Sequence, residues 1–450
     1  MMKVFIKTYG CQMNMRDSEA IAGMLAARNY EIVDHEDNAD ILLFNTCSVR
    51  EQAEKKAIGK LGFMSKIKKK RPQTIIGVMG CMAQNKKAEL LETVPHLDFV
   101  LGTGQLHKLP DVLEELQKKR QKLSLTEESK DVLTGMGVHY IDKNTVNPYS
   151  AFIAVTRGCN RFCSYCIVPY VRGREISRTI EDVMQEAEEL VQNGVKEIML
   201  LGQNVAAFGL NGDTRPPQDG VSPFADLLYE LNAVDGLERI RFTSPYVSYF
   251  NNKLIHAMAE CSKVCHNVHL PLQSGSDRIL KAMNRQYTAE SYYEKVIAMR
   301  EAIPDITFST DVIVGFPGET EEDFEATRSL FAKVGYTNGF IFKYSPREGT
   351  KAAVMSDQIP QSVKEERNQI LLALLEEQTN REISKLSGTV QEVLVEGAAR
   401  TNKNQLTGRT STSWVVNFTP QPGTKPGDLG QVRIIRPANV TLVGEEIANA

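Results

Sequence analysis

The chain has 450 residues, a formal net charge of −3, 42% hydrophobic residues and 24% charged residues. That balance excludes a disordered chain and a globally basic nucleic-acid binder, and no apolar run reaches the ~18 residues that cross a bilayer. The start, Met1-Met-Lys-Val-Phe-Ile-Lys-Thr-Tyr9, reads as a strand and not as a signal peptide, so a cytoplasmic protein is expected. Eight cysteines lie between Cys11 and Cys265. In such a chain they point to metal or redox chemistry before a disulfide framework.

Residues 1–118 alternate strand and helix patterns. Strands are predicted at Lys3–Tyr9, Ala39–Asn45 and Thr74–Met79, and helices at Asp17–Arg28, Ser48–Leu61 and about Asn85–Leu91. This alternation predicts a parallel α/β sheet. Cys11, Cys47 and Cys81 each follow one of the strands. In open parallel sheets ligands gather at the carboxyl ends of strands, so three distant thiols are expected on one rim.

Residues 119–144 are polar and weakly patterned and read as a linker. A second α/β segment, 145–376, offers strands at Ala151–Val155, Glu197–Leu201, Arg239–Phe242, Asn267–Leu270, Thr307–Val314 and Gly339–Tyr344. Six β/α units predict an open, partial barrel whose working end lies at the strand carboxyl ends. Ser362–Leu386 reads as a charged helix. Residues 378–444 then carry five short strand patterns, with eight Lys/Arg against four Asp/Glu. A small OB-like all-β barrel is expected there, with RNA as a natural partner for its basic surface.

The most specific pattern is Arg157-Gly-Cys159-Asn-Arg-Phe-Cys163-Ser-Tyr-Cys166, three thiols at C-x3-C-x2-C without a fourth nearby. A 4Fe–4S cluster normally takes four thiolates, so three leave one iron open to a substrate. A structural zinc would ask for four protein ligands. Cys261 and Cys265 lie far away in sequence and read as ordinary thiols. The triplet resembles the signature of the radical S-adenosylmethionine (SAM) enzymes, in which the amino and carboxylate groups of SAM chelate the open iron.

Thr8-Tyr-Gly-Cys-Gln-Met-Asn14, Asn45-Thr-Cys-Ser-Val-Arg50 and Gly80-Cys-Met-Ala83, joined to that core, resemble the methylthiotransferase family of radical SAM enzymes. The tail resembles their TRAM domain. Gln12-Met13-Asn14 is similar to the MiaB type, which acts on tRNA. The resemblance implies two iron–sulfur clusters. Cys159, Cys163 and Cys166 would hold the radical SAM 4Fe–4S cluster, and Cys11, Cys47 and Cys81 an auxiliary 4Fe–4S or 3Fe–4S cluster. It implies addition of a methylthio group to C2 of N6-isopentenyladenosine-37, using one SAM as methyl donor, a second as source of a 5′-deoxyadenosyl radical, and auxiliary-cluster sulfur. It also implies a flavodoxin- or ferredoxin-like electron donor, an iron–sulfur carrier for repair, and a monomer.

Gln203, Ser244 and Gln273, by their places after the strands, and Asp311 and Arg347, in segments that resemble the family's fifth-strand and rim segments, are the expected SAM contacts. A turn or cap role stands beside each. The alternatives are a sister methylthiotransferase, acting on threonylcarbamoyl-adenosine tRNA or a ribosomal-protein aspartate, and a non-catalytic zinc and RNA-binding protein. Lys66–Arg71 reads as a solvated helix end or a tRNA backbone contact. Trp414 reads equally as core or as a base platform.

Overall fold

The computed structural model describes residues 1–48, 51–129, 131–140, 147–210, 212–400 and 402–448. Val49 and Arg50 of the second thiol motif, and the expected 144/145 boundary, lie outside the described residues. The N-terminal sheet contains β1 (Lys3–Tyr9), β2 (Glu31–Ile32), β3 (Ile41–Thr46), β4 (Ile75–Gly80), β5 (Phe99–Leu101) and β6 (Leu123–Leu125). All are parallel, in the order β2-β1-β3-β4-β5-β6. Strands β3 and β4 are buried along their whole length, as expected of central strands covered on both faces. Ile41 and Leu43 face one core, and Leu42 and Phe44 face the other.

The covering helices are α1 (Gln12–Ala27), α2 (Glu51–Lys70), α3 (Cys81–Lys86), α4 (Glu89–Thr93) and α5 (Leu109–Lys118). Helix α1 starts at Gln12 and not at Asp17, because Asn14 accepts the Cys11 amide N–H and closes the first turn. Helix α2 runs on through the basic stretch. There Lys68 pairs with Asp98 at 2.6 Å, and Arg71 donates to the carbonyls of Glu36, Asp37 and Ala39. Those two cations hold the fold, while Lys66, Lys69 and Lys70 remain exposed. The segment 119–144 contributes β6 to the sheet edge, and its Met136 and Val138 carbonyls accept hydrogen bonds from buried Arg16.

The second segment opens with β7 (Ser150–Ala154), β8 (Thr156–Arg157), α6 (Val168–Arg172), β9 (Ile176–Ser177), α7 (Ile180–Gln192), β10 (Glu197–Leu201), α8 (Pro223–Asn232) and β11 (Arg239–Phe242). It continues with α9 (Asn252–Glu260), β12 (Asn267–His269), α10 (Asp277–Ala282), α11 (Ala289–Ala302), β13 (Thr307–Val314), α12 (Glu321–Val334), β14 (Asn338–Lys343) and α13 (Gln361–Ser384). The parallel triplets β11-β10-β7 and β12-β13-β14 meet at the Ile240–Val264 bridge. Together they form six parallel strands in sequence order, a partial barrel whose edges are β7 and β14. Ile153, Ile198, Leu200, Val312 and Val314 point outward into one large core beneath the helices.

The C-terminal strands β15 (Val390–Ala398), β16 (Leu406–Thr410), β17 (Val415–Thr419), β18 (Leu429–Ala438) and β19 (Thr441–Glu446) close a barrel in the order β15-β16-β17-β19-β18. Trp414 is buried in its core, which settles that residue as packing. The small barrel is seated at the amino ends of the large barrel's strands. Arg241 pairs with Glu197 at 2.6 Å and donates to the Thr410 and Ser411 carbonyls. Thr307 donates to the Thr412 carbonyl at 3.0 Å. No helix among the described residues is long and apolar enough to cross a membrane.

Candidate cluster sites and their surroundings

The loops after β1, β3 and β4 carry Cys11, Cys47 and Cys81. An amide pair ties them together: Asn14 donates to Asn45 Oδ1 at 3.0 Å, and Asn45 returns a bond to the Asn14 carbonyl at 2.9 Å. Gly80 packs on this pair with φ +95°; a Cβ there would lie 2.3 Å from Asn45 Oδ1. Only glycine therefore lets the third loop close in. Cys47 and Cys81 are buried, and Cys11 is half-buried.

The central thiols sit in a loop between β8 and α6. Gly158, at φ +81°, passes so close to the Arg174 carbonyl that a Cβ would lie 2.1 Å from it. Cys159 donates to the Gly173 carbonyl at 3.1 Å, and Asn160 bonds both the Gly212 carbonyl and the Glu175 amide. The far wall is Met283–Tyr287: Ser164 donates to the Met283 carbonyl, and Asn284 donates to the carbonyls of Arg161 and Phe162. Arg285 reaches the sulfur itself, with Nη1 3.5 Å from Cys163 Sγ. Its guanidinium lies 4.2 Å from the Tyr246 ring centre and 5.0 Å from that of Tyr287.

The two thiol sets approach each other across α6, which begins two residues after Cys166. Cys81 packs against Ile167 and Val171 of this turn. Asp17 of α1 takes Arg157 at 3.1 Å and Arg172 at 3.0 Å, and all three are buried. Burial works against the Arg172 charge, yet Cys81 and Asp17 hold its pKa above the ordinary value. Arg172 Nη1 has no hydrogen-bond partner although buried beside Cys81. A donor aimed at thiolates or sulfide fits an iron–sulfur cluster at this rim. Burial pushes the thiols of Cys81 and Cys159 up to about 11, and raises Cys166 further with help from Cys163 and Cys159. A bound metal reverses that preference, because a coordinating thiol loses its proton. Among the described residues no three His, Cys, Asp or Glu side chains converge as they would on a single ion. Thiolates of a cluster bind different irons and are spread more widely than the ligands of one zinc.

The remaining sequence candidates fall into different roles. The Gln203 side chain accepts the Gly158 amide N–H, so it braces the central loop. Ser244 and Gln273 follow their strands with φ of +60° and +66°. Gln273 is stitched to β13 by its backbone, donating to Asp311 and accepting from Ile313. Asp311 points to His269, with Oδ2 3.3 Å from Nε2. The Arg347 carbonyl caps Thr350 in the rim turn. Neither Asp17, Arg172 nor Arg285 was marked by a sequence pattern; only Arg157, adjoining the triplet, carried a local cue. Glu175, also unmarked, is pushed up to about 7 by burial, with Arg161 opposing.

Residues 3–102 match the family model described as uncharacterized protein family UPF0004, residues 153–331 the radical SAM superfamily, and residues 384–445 the TRAM domain. A tRNA-2-methylthio-N(6)-dimethylallyladenosine synthase of Opitutus terrae is 46% identical, with 99% of this chain and 97% of that protein covered. The chain belongs to this family. A second such synthase, from Akkermansia muciniphila, is 44% identical over 99% of this chain and 98% of its own. Among solved structures, the radical SAM methyltransferase TsrM from Kitasatospora setae shares the fold at TM-score 0.54 and 14% identity, covering 76% of this chain and 73% of its own. The radical SAM match and the family membership make this chain an enzyme of the radical SAM class, with SAM and iron–sulfur cofactors.

Proposed function

We propose that this enzyme adds a methylthio group to C2 of N6-isopentenyladenosine-37 in tRNA. The observation that carries the reading is the packing of Cys81, from one three-thiol set, on the turn that follows Cys166 of the other, in a chain similar over its full length to synthases of that name. Cys159, Cys163 and Cys166 would hold the radical SAM cluster, which would supply the electron that turns SAM into a hydrogen-abstracting radical, and Cys11, Cys47 and Cys81 the auxiliary cluster, which would supply the incoming sulfur. The adenine C2–H is neither acidic nor attached to a leaving group, so acid–base residues alone have little purchase on it.

The chain's own residues position and enclose. Gln203 fixes the loop at Gly158. Asp17, Arg157 and Arg172 clamp the N-terminal domain to that loop through buried ion pairs. Ser244, Gln273, Asp311 and Arg347 are the proposed SAM-facing groups, with Arg347 suited to a carboxylate or phosphate. The organisation 1–118, 119–144, 145–376 and 378–444 is kept as the functional division, with the strap at 119–144 serving the first unit. Cytoplasmic location, a monomeric state, a flavodoxin- or ferredoxin-like electron donor and an iron–sulfur carrier complete the proposal.

Nucleoside mass spectrometry on tRNA from a deletion strain tests it. Loss of the 2-methylthio-isopentenyl nucleoside, restored by the gene, is expected. An unchanged nucleoside profile overturns the reading, and loss of a threonylcarbamoyl derivative instead assigns the sister reaction.

A further inference from the structure

Two phenylalanines of the barrel stand exposed, although globular domains normally bury such rings. Phe340 is 47% exposed and Phe342 38% exposed, both on edge strand β14. Their rings are near-parallel, at 15°, with centroids 6.1 Å apart. Side chains alternate along a strand. Ile341 packs toward the helix layer, its carbonyl takes the Asn368 side chain, and Gly339 lies against Leu375. Phe340 and Phe342 therefore face the other way, into the open barrel. Their neighbours on β13 are Asp311 and Ile313, which alternate with the outward Val312 and Val314. His269 sets its ring edge against Phe340 at 6.4 Å and is itself held by Asp311 and by Ser309.

The opposite edge of the barrel interior is occupied by the first thiol loop. Phe152 and Met199, inner-face residues of β7 and β10, pack on the same small cluster as Cys11, around Met13, Ala154 and Leu201. The aromatic pair and Cys11 thus border one space from opposite edges. Its depth is informative as well. Phe340 lies level with Asp311, four residues or roughly 13 Å before Gly315 beyond the carboxyl end of β13. The small barrel docks at the amino end of that same strand, at Thr307. A strand of RNA carried by the small barrel meets the phenylalanines before it meets the central thiols.

From this placement we infer that Phe340 and Phe342 form the platform on which the target adenine of the RNA stacks, with His269 as the positioning residue that fixes Phe340. The inference rests on the proposed tRNA substrate and names the residues that receive its base. An unpaired purine offers a flat π-face that matches two near-parallel rings, and single-stranded RNA is commonly read by such stacking. SAM's adenine is the competing occupant, since Asp311, a proposed SAM-facing group, lies level with Phe340; the SAM-affinity arm of the test separates the two.

The test uses the cluster-loaded full chain and an anticodon stem-loop RNA with 2-aminopurine at the target position, whose fluorescence falls on stacking. Phe340→Leu and Phe342→Leu keep apolar volume and remove the ring. Each is expected to reduce quenching and weaken RNA binding roughly 5- to 150-fold, in line with the loss of a base–aromatic stack. Trp at either position restores both, which a merely structural role does not predict. Unchanged quenching and RNA affinity in the double Leu variant overturn the proposal. So does a loss of SAM affinity that equals the loss for RNA, which assigns the rings to SAM's adenine. If the wild-type enzyme quenches the probe yet forms no methylthio product on isopentenylated tRNA, the proposed reaction falls while the platform stands.

Discussion

Replacing Asp17 by Asn leaves Arg157 and Arg172 buried with their charge uncompensated. Burial opposes the charge of Asp17, but the two guanidinium groups hold its carboxyl below the ordinary 3.8, so it is ionised at neutral pH. Removing one partner from a buried ion pair costs about 3–5 kcal/mol. Asn retains the size and some hydrogen bonding, so the lower end, about 3 kcal/mol, is expected, or roughly a hundredfold in the docking equilibrium. The contacts that open are local: α1 loses α6, and Cys81 loses its packing on Ile167 and Val171. Hydrogen exchange resolved by peptide is the assay. Protection should fall by about two orders of magnitude at 168–172. Product formation should fall more than SAM cleavage, because only the former needs both thiol sets aligned. The sign with pH follows: a lowered folded pKa stabilises above 3.8, and that contribution fades as pH falls through the folded value. The wild-type clamp therefore loosens in acid, whereas the Asn variant has no such transition. Wild-type protection at 168–172 in the variant refutes the clamp.

Two further outcomes follow from buried cations. Arg285→Gln removes an N–H donor and a positive charge from Cys163, so the central cluster should become harder to reduce, seen as a more negative midpoint in an EPR-monitored titration; an unmoved midpoint contradicts the contact. Burial lowers the affinity of His139 for its proton, but hydrogen bonds to Glu186 and Glu19 raise it above the ordinary 6.5. Its contribution is fully present below 6.5 and is lost as pH rises through the folded value. Exchange protection of the strap at 136–139 should fall over that range in the wild type and show no such step in His139→Gln.

What the sequence carried best were features set by neighbours in the chain. The spacing of Cys159, Cys163 and Cys166 is local, and so are the hairpins of the small barrel, whose strands lie where the turn residues put them. The thiols after β1, β3 and β4 were legible because parallel topology sends successive loops to one rim. Contacts that close only in three dimensions were not. Asp17 and Arg157 are 140 residues apart, and although Arg157 adjoins the triplet, Asp17 is an ordinary helix residue in its own segment. Strand β6 is only Leu-Ser-Leu, too short to show alternation, so a stretch that completes the sheet read as linker. Gln203 was legible as an amide after a strand, but the bond from Gly158 to its oxygen, which braces the central loop, closes only in the folded chain. Phe340 and Phe342 looked like ordinary strand hydrophobics until the open side of β14 exposed them.

The central claim is that two thiol sets perform separate halves of one reaction. The direct measurement is a parallel assay of Cys→Ala variants after anaerobic reconstitution, following 5′-deoxyadenosine and the methylthio nucleoside. Loss of Cys159, Cys163 or Cys166 should abolish both products. Loss of Cys11, Cys47 or Cys81 should leave 5′-deoxyadenosine formation and remove only the methylthio nucleoside. Identical behaviour of the two sets, either both cleaving SAM or both silent with clusters loaded, would contradict it.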